Sequence, residues 1–147
     1  MTGSFSRLFS LIFMVCLCMA AVAPGVSAMQ CDDNYNGTVT DNMAGLMWMK
    51  ETPTVRMPWE DARNFAENLV LGGHSDWRLP SIDELRQLYR STCLEIMKIR
   101  KDWYWSSTED GSRNKADRLN FRSGNVLSGL KNFSYYMLPV RRAGSLE

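Results

Sequence analysis

Histidine is nearly missing from this 147-residue sequence, in which His74 is the only one. It lies in a Gly-Gly-His-Ser-Asp segment that gives no Cys/His ligand spacing, so a zinc site is not predicted. The sequence also lacks a glycine-rich phosphate loop, an HExxH motif and a GxSxG motif. Without a histidine-based triad or a recognisable pair of catalytic carboxylates, we expect a protein that is not an enzyme and uses no cofactor.

A hydrophobic run long enough to span a membrane is absent as well. Arg7 is followed by sixteen residues, 8–23, that only Ser10 interrupts, and then by Pro-Gly and small residues. A spanning helix needs about 20 apolar residues, so a membrane anchor is the less favoured alternative to a cleaved signal peptide. We therefore predict a signal peptide over residues 1–28, one mature domain over residues 29–147 without a stable membrane anchor, and a periplasmic or secreted location.

The predicted mature domain has no surplus of charge. The chain carries 17 Lys and Arg against 16 Asp and Glu, and removing Arg7 leaves 16 of each. Bulk charge therefore does not favour a polyanion-binding protein, and nucleic acid is not an expected partner. The distribution is uneven, because residues 29–97 hold 6 basic and 11 acidic side chains, whereas residues 98–142 hold 10 basic and 4 acidic ones. The second segment is a candidate basic surface.

Cysteine is scarce, and the predicted signal peptide contains two of the four, Cys16 and Cys18. Cys31 and Cys93 remain, and an even pair in an exported protein favours a disulfide. Such a bridge closes a loop of about sixty residues and, by chain entropy, stabilises the fold by roughly 4 kcal/mol. A metal site made of the two cysteines is the weaker alternative.

Two amphipathic helices are predicted in the middle of the chain. The first has Pro58 at its first position and ends at Gly72-Gly73. Its apolar face consists of Trp59, Ala62, Phe65, Ala66 and Leu69. The second begins with the capping-box pattern of Ser81 and Glu84. Its buried stripe consists of Ile82, Leu85, Leu88 and Tyr89.

β-Structure is predicted on both sides of these helices. Asn36-Gly37 before a Thr-Val-Thr run favours a hairpin, and residues 46–50 form a short apolar strand. Later strands are predicted at residues 103–107, 119–121 and 135–140, with residues 123–125 as the turn of a second hairpin. The order of strands, two helices and strands indicates an α+β fold with an antiparallel sheet and excludes alternating βαβ units.

Three motifs follow one another in a recognisable order. They are Asn36-Gly37-Thr38-Val39-Thr40-Asp41-Asn42 with Gly45-Leu46-Met47-Trp48, then Ser75-Asp76-Trp77-Arg78-Leu79-Pro80, then Tyr104-Trp105-Ser106-Ser107-Thr108. Together they resemble the DUF1566 family, also called the Lcl C-terminal domain after part of a collagen-like adhesin. Pro139-Val140-Arg141 resembles the ending common in that family, so the resemblance covers about residues 33–142.

The resemblance implies a fold similar to the C-type lectin-like and formylglycine-generating-enzyme group, with two helices packed on a twisted antiparallel sheet. It implies no established activity. The adhesin that names the domain binds sulfated glycosaminoglycans, but this chain has no Gly-x-y repeats. It also lacks the Glu-Pro-Asn and Gln-Pro-Asp tripeptides by which many calcium-dependent lectins hold sugar. Neither trimeric avidity nor that sugar-binding mechanism is carried over.

Several conspicuous residues have a structural interpretation. Trp48, Trp77 and Trp105 lie among apolar neighbours and are expected to fill a core. Arg78 is expected to pair with an acidic helix residue or to stack on an aromatic ring rather than to bind ligand. Residues 32–37 partly resemble a calcium loop, but methionine replaces the bidentate acid at its twelfth position, so we interpret the segment as a turn without a metal.

The candidate ligand-binding residues lie in the basic segment and are Arg113, Lys115, Arg118, Arg122, Lys131, Tyr135 and Tyr136. Arginine binds sulfate or carboxylate bidentately, and an aromatic face stacks on a sugar ring. The hypothesis is an exported, non-enzymatic module that recognises acidic glycan or another envelope component. Two alternatives stay open: the same residues contact a protein partner in an envelope assembly protein, or they are ordinary solvated charges.

Overall fold

The computed structural model describes residues 30–144. The predicted signal peptide, residues 1–28, lies outside the described residues, as does the proposed mature start at Met29. Within residues 30–144, no helix has the length and apolar character needed to cross a membrane.

Between residues 30 and 144 the chain forms seven strands, two α-helices and one short 3-10 helix. In chain order these are β1 (Cys31–Asp33), β2 (Thr38–Asp41), β3 (Leu46–Met49), α1 (Trp59–Glu67), α2 (Ile82–Tyr89), the 3-10 helix (Thr92–Glu95), β4 (Trp103–Glu109), β5 (Lys115–Asn120), β6 (Val126–Leu130) and β7 (Val140–Arg142). The predicted α+β class is confirmed.

The strands form two antiparallel sheets, and the expectation of a single sheet was wrong. The four-stranded sheet has the order β1-β2-β3-β7, and the three-stranded sheet has the order β4-β5-β6. β7 belongs to the first sheet because it pairs with β3, with Trp48 opposite Val140. A pairing between segments so far apart leaves no local pattern in the sequence.

The first predicted hairpin is confirmed, although its turn is longer than a two-residue Asn-Gly turn. Residues 34–37 join the antiparallel strands β1 and β2. Gly37 has a φ of 87°, which favours glycine at the end of this loop. The Asn34 side-chain amide donates to the hydroxyls of Thr38 and Thr40 at 2.8 and 3.0 Å, which holds the loop against β2.

α1 begins and ends differently from its prediction. Pro58 is the N-cap rather than the first helical residue, and the helix ends at Glu67 instead of continuing to Gly72-Gly73. Those glycines, with φ of 60° and 82°, lie in a tight turn between Leu71 and His74. Consecutive positive φ angles explain why both positions hold glycine.

The apolar face of α1 is narrower than predicted. Trp59, Ala62 and Ala66 are buried, but Phe65 is 38% exposed and Leu69 is only half-buried. The Trp59 indole N–H donates to a backbone carbonyl of β4 at 2.7 Å. This bond fixes the helix on the three-stranded sheet.

The capping box at the start of α2 is confirmed. The Glu84 N–H donates to the Ser81 hydroxyl at 3.1 Å, and the Ser81 N–H donates to the Glu84 carboxylate at 2.8 Å. Arg78 donates to the same carboxylate through both Nη atoms, at 2.7 and 2.8 Å, as its predicted pairing with an acidic helix residue requires. Burial alone would raise the pKa of Glu84. The hydrogen bonds from Arg78 and Ser81 to its carboxylate have the larger combined effect, so the pKa lies below its ordinary value.

Two apolar clusters cover both faces of the three-stranded sheet. The larger cluster joins α2 and the four-stranded sheet to one face, and the smaller joins α1 to the other. Trp48, Trp77 and Trp105 are buried, as predicted. α2 contributes Ile82, Leu85 and Leu88 to the larger cluster, whereas Tyr89 is only partly buried.

A disulfide joins Cys31 to Cys93, the pair that the sequence predicts, with Cα atoms 5.3 Å apart. It links β1 to the 3-10 helix after α2, and Cys93 is fully buried. The bridge therefore fastens the first strand to the larger apolar cluster.

The last quarter of the described chain departs most from its prediction. Instead of a strand over residues 135–140, Tyr135 and Tyr136 form isolated bridges, residues 137–139 form none, and β7 begins only at Val140. Pro139 lacks the N–H that a continuous ladder needs. The predicted turn at residues 123–125 lies between β5 and β6, but the sequence does not reveal β6, because Ser128-Gly129 at its centre resembles a turn.

Candidate functional site

One face of the three-stranded sheet carries several of the candidate residues. Side chains alternate between faces along a strand, and residues opposite each other in register share a face. Trp105 is opposite Arg118, which is opposite Leu127 on β6. α1 covers Trp105 on this face, while Leu127 is 52% exposed. We call the open part of the face, made of Trp103, Arg118, Leu127 and Tyr135, the arginine–aromatic patch.

Arg118 lies on two aromatic rings and makes no ion pair. Its guanidinium carbon is 4.8 Å from the ring centroid of Trp103 and 4.2 Å from that of Tyr135. Its Nε is buried without a hydrogen-bond partner among residues 30–144, and no described carboxylate lies within ion-pair distance. An arginine held by rings alone keeps its remaining N–H groups free for an anion.

Glycine on the neighbouring strand makes room for this arginine. A Cβ atom at Gly129 would collide with Nη1 of Arg118. The guanidinium therefore extends from β5 across β6 at the one position of that strand where the side chain is missing. A glycine inside a strand often marks such a close approach.

Lys131 lies near the same face but already has partners. Its Nζ is 2.9 Å from a Glu109 carboxylate oxygen and 4.0 Å from the ring centroid of Trp59, and its side chain is 15% exposed. The Lys131 backbone also accepts the Trp59 N–H at 3.0 Å. Lys131 is thus mainly a structural residue that fastens α1 to the sheet.

A cleft of about 550 Å³ opens beside the N-terminus of α1. It is lined by Pro58, Glu60, Arg113, Asn114, Leu130, Lys131 and Asn132. Glu60 is paired with Arg63 at 2.7 Å, whereas Arg113 is exposed and makes no ion pair within residues 30–144. A volume of several hundred cubic ångströms with a few polar groups is typical of small-ligand sites. We call this the α1 cleft.

The seven candidate residues do not form one cluster. Arg113 and Lys131 meet in the α1 cleft, and Arg118 and Tyr135 meet in the arginine–aromatic patch. Lys115 alternates to the opposite face of β5 from Arg118. Arg122 lies in the turn after β5, at the other end of that strand from Lys115.

Tyr136 does not belong to an exposed surface. It is 8% exposed and its ring lies 5.6 Å from that of Tyr104 in the larger apolar cluster. Arg56 and Arg100 lie over its ring at 5.0 and 5.6 Å. The structure therefore places Tyr136 among the core aromatics and not in the α1 cleft.

Most of the basic side chains in residues 98–142 lack an ion-pair partner. Of the ten, three are paired, namely Lys98 with Glu51, Lys131 with Glu109 and Arg141 with Asp76. The other seven make no ion pair with any residue that the structure describes. The excess of positive charge in residues 98–142 is therefore not neutralised by ion pairs within the described part of the chain.

The acidic groups nearby are held by local hydrogen bonds. The Ser112 hydroxyl and N–H donate to Asp110 at 2.6 and 2.9 Å, and these bonds lower the pKa of Asp110.

In residues 32–37, the segment that partly resembles a calcium loop, Asp33 accepts from Lys50 at 2.5 Å and from the Tyr35 N–H at 3.0 Å. Across the described part of the chain, no three His, Cys, Asp or Glu side chains are grouped as a metal site would require.

Several residues that shape the two surfaces are not among the predicted site residues, including Trp103, Asn114, Leu127, Gly129 and Asn132. Two of them leave a usable signal. Alternation from Trp105 places Trp103 on the same face, and a lone glycine in a β-prone segment suggests close backbone approach. Asn114 and Asn132 leave no signal in the sequence, because they come together only when the end of β6 lies beside α1.

Comparison with known proteins gives one result for the family. The family model described as the Lcl C-terminal domain matches residues 37–141. No curated protein matches the chain. The matched segment contains both the α1 cleft and the arginine–aromatic patch.

Proposed function

The chain belongs to the Lcl C-terminal domain family, and from this we propose that it is an exported, non-enzymatic binding module with a C-type lectin-like fold. Its ligand is an acidic glycan or another anionic component of the cell envelope. The predicted signal peptide and the disulfide between Cys31 and Cys93 support an exported location, because disulfides persist in oxidising compartments.

The α1 cleft carries the proposal. It brings Arg113, which makes no ion pair within residues 30–144, together with Asn114 and Asn132. A guanidinium offers two parallel N–H donors to a carboxylate or sulfate, and amides exchange hydrogen bonds with sugar hydroxyls. We place the anionic group of the glycan at Arg113 and its hydroxyls at the two amides.

Binding of a sulfated or carboxylated oligosaccharide to the oxidised protein tests this proposal. Arg113→Ser is expected to weaken binding about tenfold or more, because a charge-assisted hydrogen bond contributes about 1.5–3 kcal/mol. Arg142→Ser removes the same charge from an exposed residue of β7, so it serves as the matched control. Titration calorimetry at two salt concentrations measures both affinities, since binding to an exposed cation weakens with ionic strength.

Two results would reject the glycan proposal. One is the absence of binding to any oligosaccharide by folded, oxidised protein. The other is an equal loss of affinity in Arg113→Ser and Arg142→Ser, which would show that only net charge matters and not the cleft.

Exposed apolar side chains favour a second candidate, an envelope assembly protein that binds a protein partner. Leu127, Leu130 and Phe133 are 52%, 42% and 54% exposed on and after β6. Groups of exposed apolar residues often mark protein interfaces. The Arg113→Ser variant distinguishes the two candidates, because a protein partner that contacts these apolar residues would still bind it.

A further inference from the structure

Two of the four sheet edges are covered by backbone hydrogen bonds. At the outer edge of β7, Arg78 and Val140 exchange both N–H···O bonds at 2.9 Å. At the outer edge of β4, Trp105 donates to Tyr136 at 2.9 Å and Tyr136 donates to Trp103 at 3.1 Å. Neither strand presents a free ladder there.

The edge at β1 is protected in another way. β1 contains Asp32 and Asp33, and its first residue is bonded to Cys93 in the 3-10 helix. Charged residues and covering elements are the usual means by which edge strands avoid pairing with other chains.

β6 lacks both kinds of protection over most of its length, and only the Leu130 carbonyl at its end accepts a local hydrogen bond, from the Phe133 N–H at 3.0 Å. Its sequence, Val126-Leu127-Ser128-Gly129-Leu130, contains no charge and no proline, and no described strand pairs with its outer side. The hydrogen bonds Asn120 N–H to Asn125 and Lys131 N–H to Asn114, at 2.9 and 2.8 Å, mark which residues face β5. By alternation, the N–H groups of Val126, Ser128 and Leu130 face outward.

Arg118 supplies a charge above this bare edge. Its guanidinium lies where the side chain of Gly129 would be, and it has no carboxylate partner within residues 30–144. Leu127, two residues along β6, is exposed on the same face. A strand added outside β6 would meet Leu127 and Gly129 in non-hydrogen-bonded pairs, where opposing side chains are closest.

We propose that β6 binds an extended segment of a protein partner by strand addition, and that this segment places an Asp or Glu opposite Gly129, in contact with Arg118, and an apolar residue opposite Leu127. In an antiparallel arrangement the partner sequence reads acidic, any residue, apolar. Main-chain hydrogen bonds to Val126, to Ser128 and to the N–H of Leu130 supply affinity, and the two side-chain contacts supply specificity.

A second copy of this chain fits the edge less well. β6 contains no acidic residue, so pairing β6 with β6 offers Arg118 no carboxylate and brings two guanidinium groups to one interface. Charge complementarity thus favours a partner segment that carries its own acid. This surface shares Leu130 with the α1 cleft, but Arg118 and Ser128 do not line the cleft, so substitutions at these two residues and at Arg113 test the two proposals separately.

The test uses the full oxidised protein and a fluorescent peptide, Thr-Val-Asp-Thr-Leu-Thr, with its Asn analogue for comparison. Ser128→Pro removes an outward N–H without removing a backbone hydrogen bond to β5, although it also removes the hydrogen bond from the Ser128 hydroxyl to the Asp117 side chain of β5. Ser128→Ala removes that hydroxyl bond but keeps the N–H, so it is the matched control. Thermal unfolding of both variants checks that they fold.

By fluorescence anisotropy, the Asp peptide is expected to bind the wild-type protein and Ser128→Ala, and to bind Ser128→Pro at least tenfold more weakly. The Asn peptide should bind about tenfold more weakly than the Asp peptide, and Arg118→Gln should abolish this preference. Equal binding by Ser128→Pro and Ser128→Ala, or no binding of the Asp peptide to wild type, would overturn the proposal. So would concentration-dependent dimerisation in sedimentation that Ser128→Pro abolishes, because β6 would then be occupied by a second copy.

Discussion

Arg78 and Arg118 are both half-buried arginines, yet the two regions around them use the charge differently. Arg78, beside the four-stranded sheet, has both Nη atoms on the Glu84 carboxylate. Arg118, in the three-stranded sheet, rests on two rings without a carboxylate. Charge in the first region holds the fold together, whereas charge in the second remains available to a ligand. Arg78 thus stabilises the domain, whereas Arg118 is the residue that we propose for recognition.

Removing the disulfide is expected to have the largest effect on the first region. Cys31→Ser combined with Cys93→Ser frees a sequence separation of 62 residues, and should lower the free energy of unfolding by about 4 kcal/mol. Urea denaturation of the variant and the oxidised wild type measures the difference. Equal midpoints would mean that β1 is held by its hydrogen bonds to β2 alone.

Glu84→Ala is expected to have the next largest effect, about 2 kcal/mol of destabilisation. It leaves Arg78 without its partner and removes half of the capping box. Asp83→Ala is the control at the neighbouring position, because its ion pair with Arg86 is exposed and contributes about 0.5 kcal/mol or less. Equal losses in the two variants would contradict a special role for the Arg78–Glu84 pair.

The same pair predicts a dependence on pH. The pKa of Glu84 is lowered in the folded protein, so its contribution is fully present above the unfolded-state value of about 4.3. It is lost as the pH falls below that value and through the folded pKa. Wild-type stability should therefore decrease more steeply than that of Glu84→Ala below about pH 4.3, as measured by denaturation at a series of pH values.

Arg118→Lys is expected to have the smallest effect on stability, below about 1 kcal/mol, because only contacts with aromatic rings are changed. The identical substitution Arg78→Lys breaks a bidentate pair and should cost more. Chemical denaturation of the two variants side by side compares the two regions directly. A larger loss for Arg118→Lys would show that the arginine–aromatic patch is a structural element.

The features that the sequence predicted well need no knowledge of the tertiary fold. The capping box of Ser81 and Glu84 spans three residues, and the Cys31–Cys93 pairing, although 62 residues apart, follows once only two cysteines remain. The two-sheet arrangement depends on β3 meeting β7, and no nearby residues encode that contact.

The candidate site shows the same division. Basic residues are visible in the sequence, but which of them are neutralised is decided by distant partners. Lys131 is paired with Glu109 across the sheet, whereas Arg118 is left free because Gly129 makes room for it. The composition therefore predicted a basic surface, but it could not show which basic residues lack an ion-pair partner.

The pairing of β3 with β7 also sets an order of events during folding. β3 (Leu46–Met49) can form its hairpin with β2 early, but its other edge must wait for Val140–Arg142. Contacts so distant in sequence are slow to form, since the intervening loop must close first. During synthesis, this edge of β3 can pair only after the helices and the three-stranded sheet have been made, because β7 follows them in the chain. We expect closure of this sheet to be the last step that gives the domain its full resistance to proteolysis.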